Sequence, residues 1–304
     1  MKLKDLGILL LLAAIWGASY LFIRVAAPVL GPAVLIDIRV LLAGGTLLLY
    51  AAAVHRLPDL RSRWKEYLIL GAVNAAIPYT LIAASELYLT ASLAAILNAT
   101  TPLFTAVVAA MGLEEPFTLK KVAGLAIGLA GVAVLVGWSP LPLTLPVLLA
   151  IGASLLAALF YGVGGVYVTR AFRGTASLTL ATKQQFAAGL LLIPLAGAGA
   201  PAARLSVPAI LALVGLALLA TSVAYLLYFH LIAAVGPTKT LSVTFLIPVF
   251  GLLWSALFLK EPLSPGTLLG LAVILASITL VTEIHFHRKS AGLSPSSAQR
   301  IGQR

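Results

Sequence analysis

The sequence predicts an all-α polytopic membrane protein in which ten transmembrane helices form a five-plus-five inverted repeat. Three observations carry that expectation. Hydrophobic residues make up 61% of the 304 and charged ones only 10%, against about 25% charged in an ordinary soluble domain. Apolar runs of roughly 20 residues, long enough for a helix to cross a hydrocarbon core about 30 Å thick, recur from end to end. A charged turn, "GLEEPFTLKKVAG" at Gly112 to Gly124, returns as "FLKEPLSPGTLLG" at Phe258 to Gly270.

The first run, Leu6 to Ala26, follows Lys2 and Lys4 as a signal peptide would. Trp16, Tyr20 and Arg24 interrupt it and no small-residue cleavage site precedes a polar domain, so it is expected to be a permanent span. The tight loop "APVLGP" leads into the second, Pro32 to Val54. A basic connection then precedes the third, Tyr67 to Glu86, and the fourth, Ser92 to Leu113, which ends at the first Glu-Pro turn. The fifth, Leu119 to Gly137, opens on Lys120 and Lys121, suited to anchoring at lipid headgroups. Leu145 to Thr169, Ser177 to Ala196, Pro208 to His230, Thr238 to Leu259 and Gly266 to Glu283 complete the set. Residues 1–143 and 144–286 are expected to be the two repeats. The segment 287–304, rich in Ser, Gly, Gln and Arg, is expected to be a disordered basic cytoplasmic tail.

Charge fixes the expected orientation. With the N-terminus cytoplasmic, the inner side receives Lys2, Lys4, Arg56, Arg61, Arg63, Lys65, Lys120, Lys121, Arg170, Arg173, Lys239, Arg288, Lys289, Arg300 and Arg304, and the outer loops only Arg204 and Lys260. This positive-inside bias places both termini in the cytoplasm of an inner membrane. The net charge of +11 is therefore topological, and no nucleic-acid partner is implied. Without cysteine, disulfides and thiolate metal sites are excluded.

Sliding the chain on itself by 146 positions aligns Pro102 with Pro248, Phe104 with Phe250, Glu115 and Pro116 with Glu261 and Pro262, and Gly124 with Gly270. Five spans separate the copies, an odd number, so the two lie inverted in the bilayer. The Glu-Pro turns are expected to act as architecture: proline starts or ends a helix and the glutamate can sit near the N-terminus of the helix that follows. Gly124, Gly128 and Gly131 form a small-residue face for close helix contact.

The stretches "IWGASYLFIRVA" (Trp16, Gly17, Ser19), "DIRVLLAG" (Arg39) and "TPLFTAVVAAMGLEEPFTLKKVAGLAIGLAGV" with its second-half copy resemble the drug/metabolite transporter superfamily, specifically its ten-helix EamA-type carriers. The resemblance runs from Asp5 to Glu283. It implies a secondary transporter for amino acids, other small metabolites or drug-like molecules, working outward, and amino-acid exporters, aromatic ones included, are among its nearest likenesses. Tyr161 and Gly162 stand opposite Trp16 and Gly17 in the second half.

Site candidates follow from depth. Inverted-repeat carriers hold solute near the midplane, where helices loosen. Pro78, Pro102 and Pro248 fall there, and each removes a helical hydrogen bond. Their neighbours Tyr79, Asn98, Thr100, Thr101 and Thr244 either satisfy the kink or meet a ligand. Trp16 and Tyr20 lie one turn apart, and Tyr79, Tyr161 and Tyr225 fall mid-span, where a hydroxyl needs a partner; simple helix packing is the competing explanation. Arg24 and Asp37 flank the first loop symmetrically and are expected to form a structural ion pair. Arg39 faces elsewhere and suits a carboxylate, since a guanidinium grips one through two bonds. Its repeat counterpart is Gln185, near Lys183, which is either a ligand group or a snorkelling one. Glu86 and His230 end their spans and are expected at the interfaces. "HFH" at 285–287 is a weak metal signal and is set aside.

These residues predict an alternating-access carrier of small amphipathic metabolites, foremost amino acids including aromatic ones, and the resemblance implies that it exports them. A multidrug or other-metabolite carrier is the alternative. An intramembrane enzyme would need a reacting constellation, and the mid-span inventory has neither His nor Cys; a channel would show a continuous polar lining. No ATPase or cofactor signature is present. The expected partners are a small solute and the lipid bilayer, with a functional monomer.

Overall fold

A computed structural model describes residues 2–281 except 114, 115, 117, 140, 199–204 and 241, with the backbone but not the side chains of 237 and 238. Every regular element among the described residues is helical, and each of the ten apolar stretches falls on helix. They are α1 (Leu3–Leu30), α2 (Pro32–Ala53), α3 (Trp64–Ser85), α4 (Ala91–Gly112), α5 (Leu119–Gly137), α6 (Leu145–Ala171), α7 (Ser177–Ala198), α8 (Val207–Val235), α9 (Val243–Phe258) and α10 (Pro265–Val281). Seven of these, α1 to α6 and α8, are long and apolar enough to cross a membrane. Helices α9 and α10 are shorter, at 16 and 17 residues, and α7 carries Lys183, Gln184 and Gln185 in its first half. Large apolar side chains such as Leu49, Leu149 and Leu190 point outward, as a lipid-facing surface requires.

Local chemistry sets the helix boundaries. Gly31 separates α1 from α2 at φ +76°, a left-handed conformation that costs glycine least, and Pro32 then opens α2 at the position where a missing N–H is harmless. The Thr90 hydroxyl caps α4 by accepting from the Leu93 amide at 3.2 Å, and Ser206 caps α8 through the Ala209 amide at 3.3 Å.

The packing partners form a regular set. Helix α1 lies against α8 and α9, and α6 lies against α3 and α4; α2 packs on α7 and α8, and α7 on α2 and α3; α5 packs on α10, and α4 on α9. Replacing each helix by the one five further along leaves that set unchanged. At the α5–α10 contact a Cβ on Gly124 would sit 2.4 Å from Val281, and one on Gly131 would sit 2.9 Å from Ile274, so the small-residue face closes two backbones together. Gly17 of α1 meets Phe250 of α9, and Gly162 of α6 meets Phe104 and Thr105 of α4.

Three helices loosen, and proline accounts for only part of it. Helix α4 breaks at Ala99–Thr100, just before Pro102. Helices α3 and α8 each contain a π-helical segment, Ala72–Ala76 and Gly215–Val223; Pro78 follows the first, whereas the second has no proline within it. In α8 the widened turns are bridged by side chains, with Thr221 donating to the Leu216 carbonyl at 2.8 Å and Ser222 to the Ala217 carbonyl at 3.2 Å. Pro248 sits within an unbroken α9.

The second Glu-Pro turn caps a different helix from the one expected. Glu261 does not serve α10, which follows it. Its carboxylate accepts from the α4 amides of Ala91 at 2.8 Å and Ser92 at 3.1 Å, and from the Ser92 hydroxyl. An anion at a helix N-terminus meets unsatisfied donors and the positive end of the dipole, so this turn ties the α9–α10 connection to α4. Of the first turn, Pro116 is described and Glu115 lies outside the described residues, as does the 287–304 tail.

Candidate functional site

The loosened segments of α3 and α4 contribute Asn74 and Ala99 to the wall of a cavity of about 340 Å³, and α8 contributes Tyr225 and Tyr228 from just beyond its own. Eight of the ten solute-binding candidates named from sequence line it: Trp16, Tyr20, Arg39, Tyr79, Asn98, Thr101, Tyr161 and Tyr225. Pro102 and Pro248 lie in its wall, together with Thr244. Pro78 is buried in α3 beside Tyr79 and is not part of the lining.

Among the described residues, Arg39 is the one charged residue of the lining. Its Nε donates to Thr221 Oγ1 at 3.0 Å, and the guanidinium carbon lies 4.0 Å from the centre of the Tyr79 ring. One edge of the fork and one face are thus held, while the two terminal nitrogens make no hydrogen bond among the described residues. Pre-organising a fork in this way lowers the entropy lost when it grips an anion.

The rings form a connected wall. Tyr79 and Tyr161 lie 6.1 Å apart between centroids, and Trp16 and Tyr228 5.5 Å apart. The hydroxyls of Tyr79 and Tyr225, residues 146 apart in sequence, approach to 3.5 Å, so the repeat register brings equivalent tyrosines together at the centre. Asn98 Nδ2 donates to the Tyr20 hydroxyl at 2.8 Å, and Asn98 Oδ1 is buried without a partner. A buried orphan acceptor costs about 1–3 kcal/mol.

Sequence reasoning missed Asn74, Gln184, Thr221 and Tyr228. Asn74 Nδ2 donates to Gln184 Oε1 at 2.9 Å, and Gln184 Nε2 to the Tyr225 hydroxyl at 3.3 Å, fixing the far ring from α3 and α7. Thr221 and Tyr228 were detectable as polar groups inside an apolar span, the criterion that did find Tyr225.

Other candidates lie elsewhere. Lys183 is not in the cavity. Its ammonium donates to the Asp59 carbonyl at 2.7 Å, to the Ser62 carbonyl and to Ser62 Oγ at 3.0 Å, and it lies over the Tyr67 ring. The long stem reaches the α2–α3 connection, so the lysine pins that loop. Gln185 is fully buried against α2 with neither amide atom hydrogen-bonded and does not line the cavity.

The expected Arg24–Asp37 ion pair does not form; Arg63–Glu66 is the salt bridge present among the described residues. Arg24 donates instead to the backbone carbonyl of Glu86, one of the acceptors left over where α3 ends. Glu86 itself, expected at the interface, is completely buried. His230 is exposed.

The model of the EamA-like transporter family matches residues 5–137 and again 148–283. The uncharacterized transporter YvbV of Bacillus subtilis is 29% identical over 98% of both chains. Protein PecM of Dickeya dadantii is 26% identical over 97% of both. The uncharacterized inner membrane transporter YedA of Escherichia coli is 30% identical over 91% of this chain and 90% of its own. A crystal structure 18% identical in sequence superposes with a TM-score of 0.66 over 93% of this chain and 98% of that one, a likeness of fold. With the family matched in both halves of a helical bundle built around a buried cavity, this chain belongs to the EamA-like transporter family and is a multi-pass membrane protein.

Proposed function

We propose that the chain is a secondary carrier exporting small amphipathic metabolites, foremost amino acids with large apolar or aromatic side chains. It works by alternating access, as a monomer, in an inner membrane with both termini cytoplasmic. Residues 1–143 and 144–286 act as inverted repeats rocking about the central cavity. The observation that carries this proposal is the Arg39 guanidinium, anchored by Thr221 and Tyr79, with its terminal nitrogens unengaged among the described residues in a cavity lined by rings, aliphatic side chains and uncharged polar groups. The cavity volume falls in the lower part of the roughly 300–1,000 Å³ range of small-ligand sites. A carboxylate fits the fork, an ammonium fits the ring hydroxyls, and an aromatic body fits Tyr79, Tyr161 and Trp16. Cationic drugs would meet the Arg39 charge without a lining carboxylate to offset it, which disfavours the multidrug alternative.

The test is counterflow of labelled phenylalanine in liposomes, competed by phenylalanine, glycine, phenylacetate and phenethylamine. Phenylalanine should compete best and phenethylamine, lacking the carboxylate, worst. Equal competition by all four, or by none, would reject this solute class.

A further inference from the structure

Glu86 is the most deeply buried charged residue among those described, and it does not line the cavity. Its exposure is 0%, and both carboxylate oxygens are without a hydrogen-bond partner. Arg24 does not neutralise it directly: it donates to the backbone carbonyl of Glu86, and among the described residues no salt bridge reaches the carboxylate. An ionised carboxylate held this way is among the costliest arrangements a protein can keep, and a bound proton removes the charge.

Its position links it to the cavity. Tyr79 and Ile82 line the solute site, and Glu86 follows them at the helical spacing i, i+3, i+7, on the same face one turn further on. The titratable and charged groups acting on Glu86 come from three packed elements: Tyr20 and Arg24 of α1, Arg39 of α2, and Glu261 of the α9–α10 turn. Glu261 is occupied by the α4 N-terminus through Ala91 and Ser92, which leaves Glu86 as the unengaged carboxylate of the group.

We propose that Glu86 is a proton-binding site that couples solute movement to the proton gradient. In the conformation described here Glu86 is shut off from solvent and the carboxyl group carries its proton. When α1, α3 and the α9–α10 turn part, water reaches the carboxyl, the proton leaves to bulk solvent, and Arg24 balances the resulting charge. One proton is bound and released per cycle; no covalent bond changes. Coupling rests on the carrier function proposed above, whereas the protonation of Glu86 does not.

The experiment has two parts. Infrared difference spectra of the purified protein, taken across a pH titration, should show a protonated carboxylic acid that Glu86→Gln loses and Glu261→Gln retains. Absence of that band from the wild type, or its persistence in Glu86→Gln, overturns the proposal. In liposomes with an imposed pH gradient, wild-type protein should concentrate labelled phenylalanine and Glu86→Gln should not; equal accumulation by both overturns the coupling. If the wild type moves no phenylalanine, the solute assignment fails and the infrared result still decides Glu86. Circular dichroism and gel filtration of each variant establish folding.

Discussion

Replacing Arg39 by glutamine removes the only charge in the lining among the described residues and separates two contributions that act on different observables. On the protein side the variant loses the Nε bond to Thr221, a net effect of about 1 kcal/mol, and the stacking on Tyr79, about 1–2 kcal/mol where desolvated. Thr221 is not orphaned, because its hydroxyl also donates to the Leu216 carbonyl. Removing a buried charge also relieves its desolvation, which offsets part of the loss. The fold should therefore survive with a modest fall in melting temperature. On the solute side, deleting one partner of a desolvated charge pair costs about 2–5 kcal/mol, and each 1.4 kcal/mol is about tenfold in affinity. Half-saturation for phenylalanine in the liposome counterflow assay should rise about 30-fold or more, while weak competition by phenethylamine should be unchanged. Arg39→Lys keeps the charge but not the fork and should fall between. A folded Arg39→Gln protein with unaltered phenylalanine affinity, or one losing both ligands in parallel, would refute the carboxylate role.

Other consequences are equally concrete. Gly17→Ala places a Cβ 2.7 Å from Phe250 Cβ and 2.8 Å from the Gly251 nitrogen, so it should destabilise by about 1–3 kcal/mol; Gly7→Ala, with nothing within 4 Å, should not lower the detergent melting temperature. A double-mutant cycle of Arg24→Gln and Asp37→Asn should show additive effects within about 0.5 kcal/mol, as for groups that do not touch; a coupling above 1 kcal/mol would restore the ion pair. Single cysteines at Arg61 and Leu143 should react with an impermeant reagent from opposite sides of the membrane, Arg61 from the cytoplasm; reaction of both from outside intact cells would reject the proposed topology.

The helices were legible because hydrophobic run length is set by the solvent, and the repeat because Pro102, Phe104 and Gly124 recur 146 positions later as Pro248, Phe250 and Gly270. The ring wall was legible for a similar reason: a tyrosine in mid-span has little else to do. What stayed hidden depended on partners far along the chain. Arg24 and Asp37 looked paired because they flank one loop, but the carbonyl that holds Arg24 belongs to Glu86, 62 residues away. Glu261 reaches back about 170 residues to Ser92, and no local pattern announces that. Lys183 had two possible directions at its depth, and the loop carbonyls of Asp59 and Ser62 decided between them. The π-helical segment of α8 contains no proline and left no signal in the sequence.

The central claim is that solute passes through the cavity between α1, α3, α4 and α8. The chain contains no cysteine, so a single one introduced at Ser19, which lines that cavity, can be filled with a membrane-permeant maleimide. Counterflow of labelled phenylalanine should be abolished on alkylation of Ser19→Cys and unaffected by alkylation of Gly45→Cys, where a side chain meets nothing within 4 Å. Phenylalanine counterflow that persists undiminished after complete labelling at Ser19 would contradict the account.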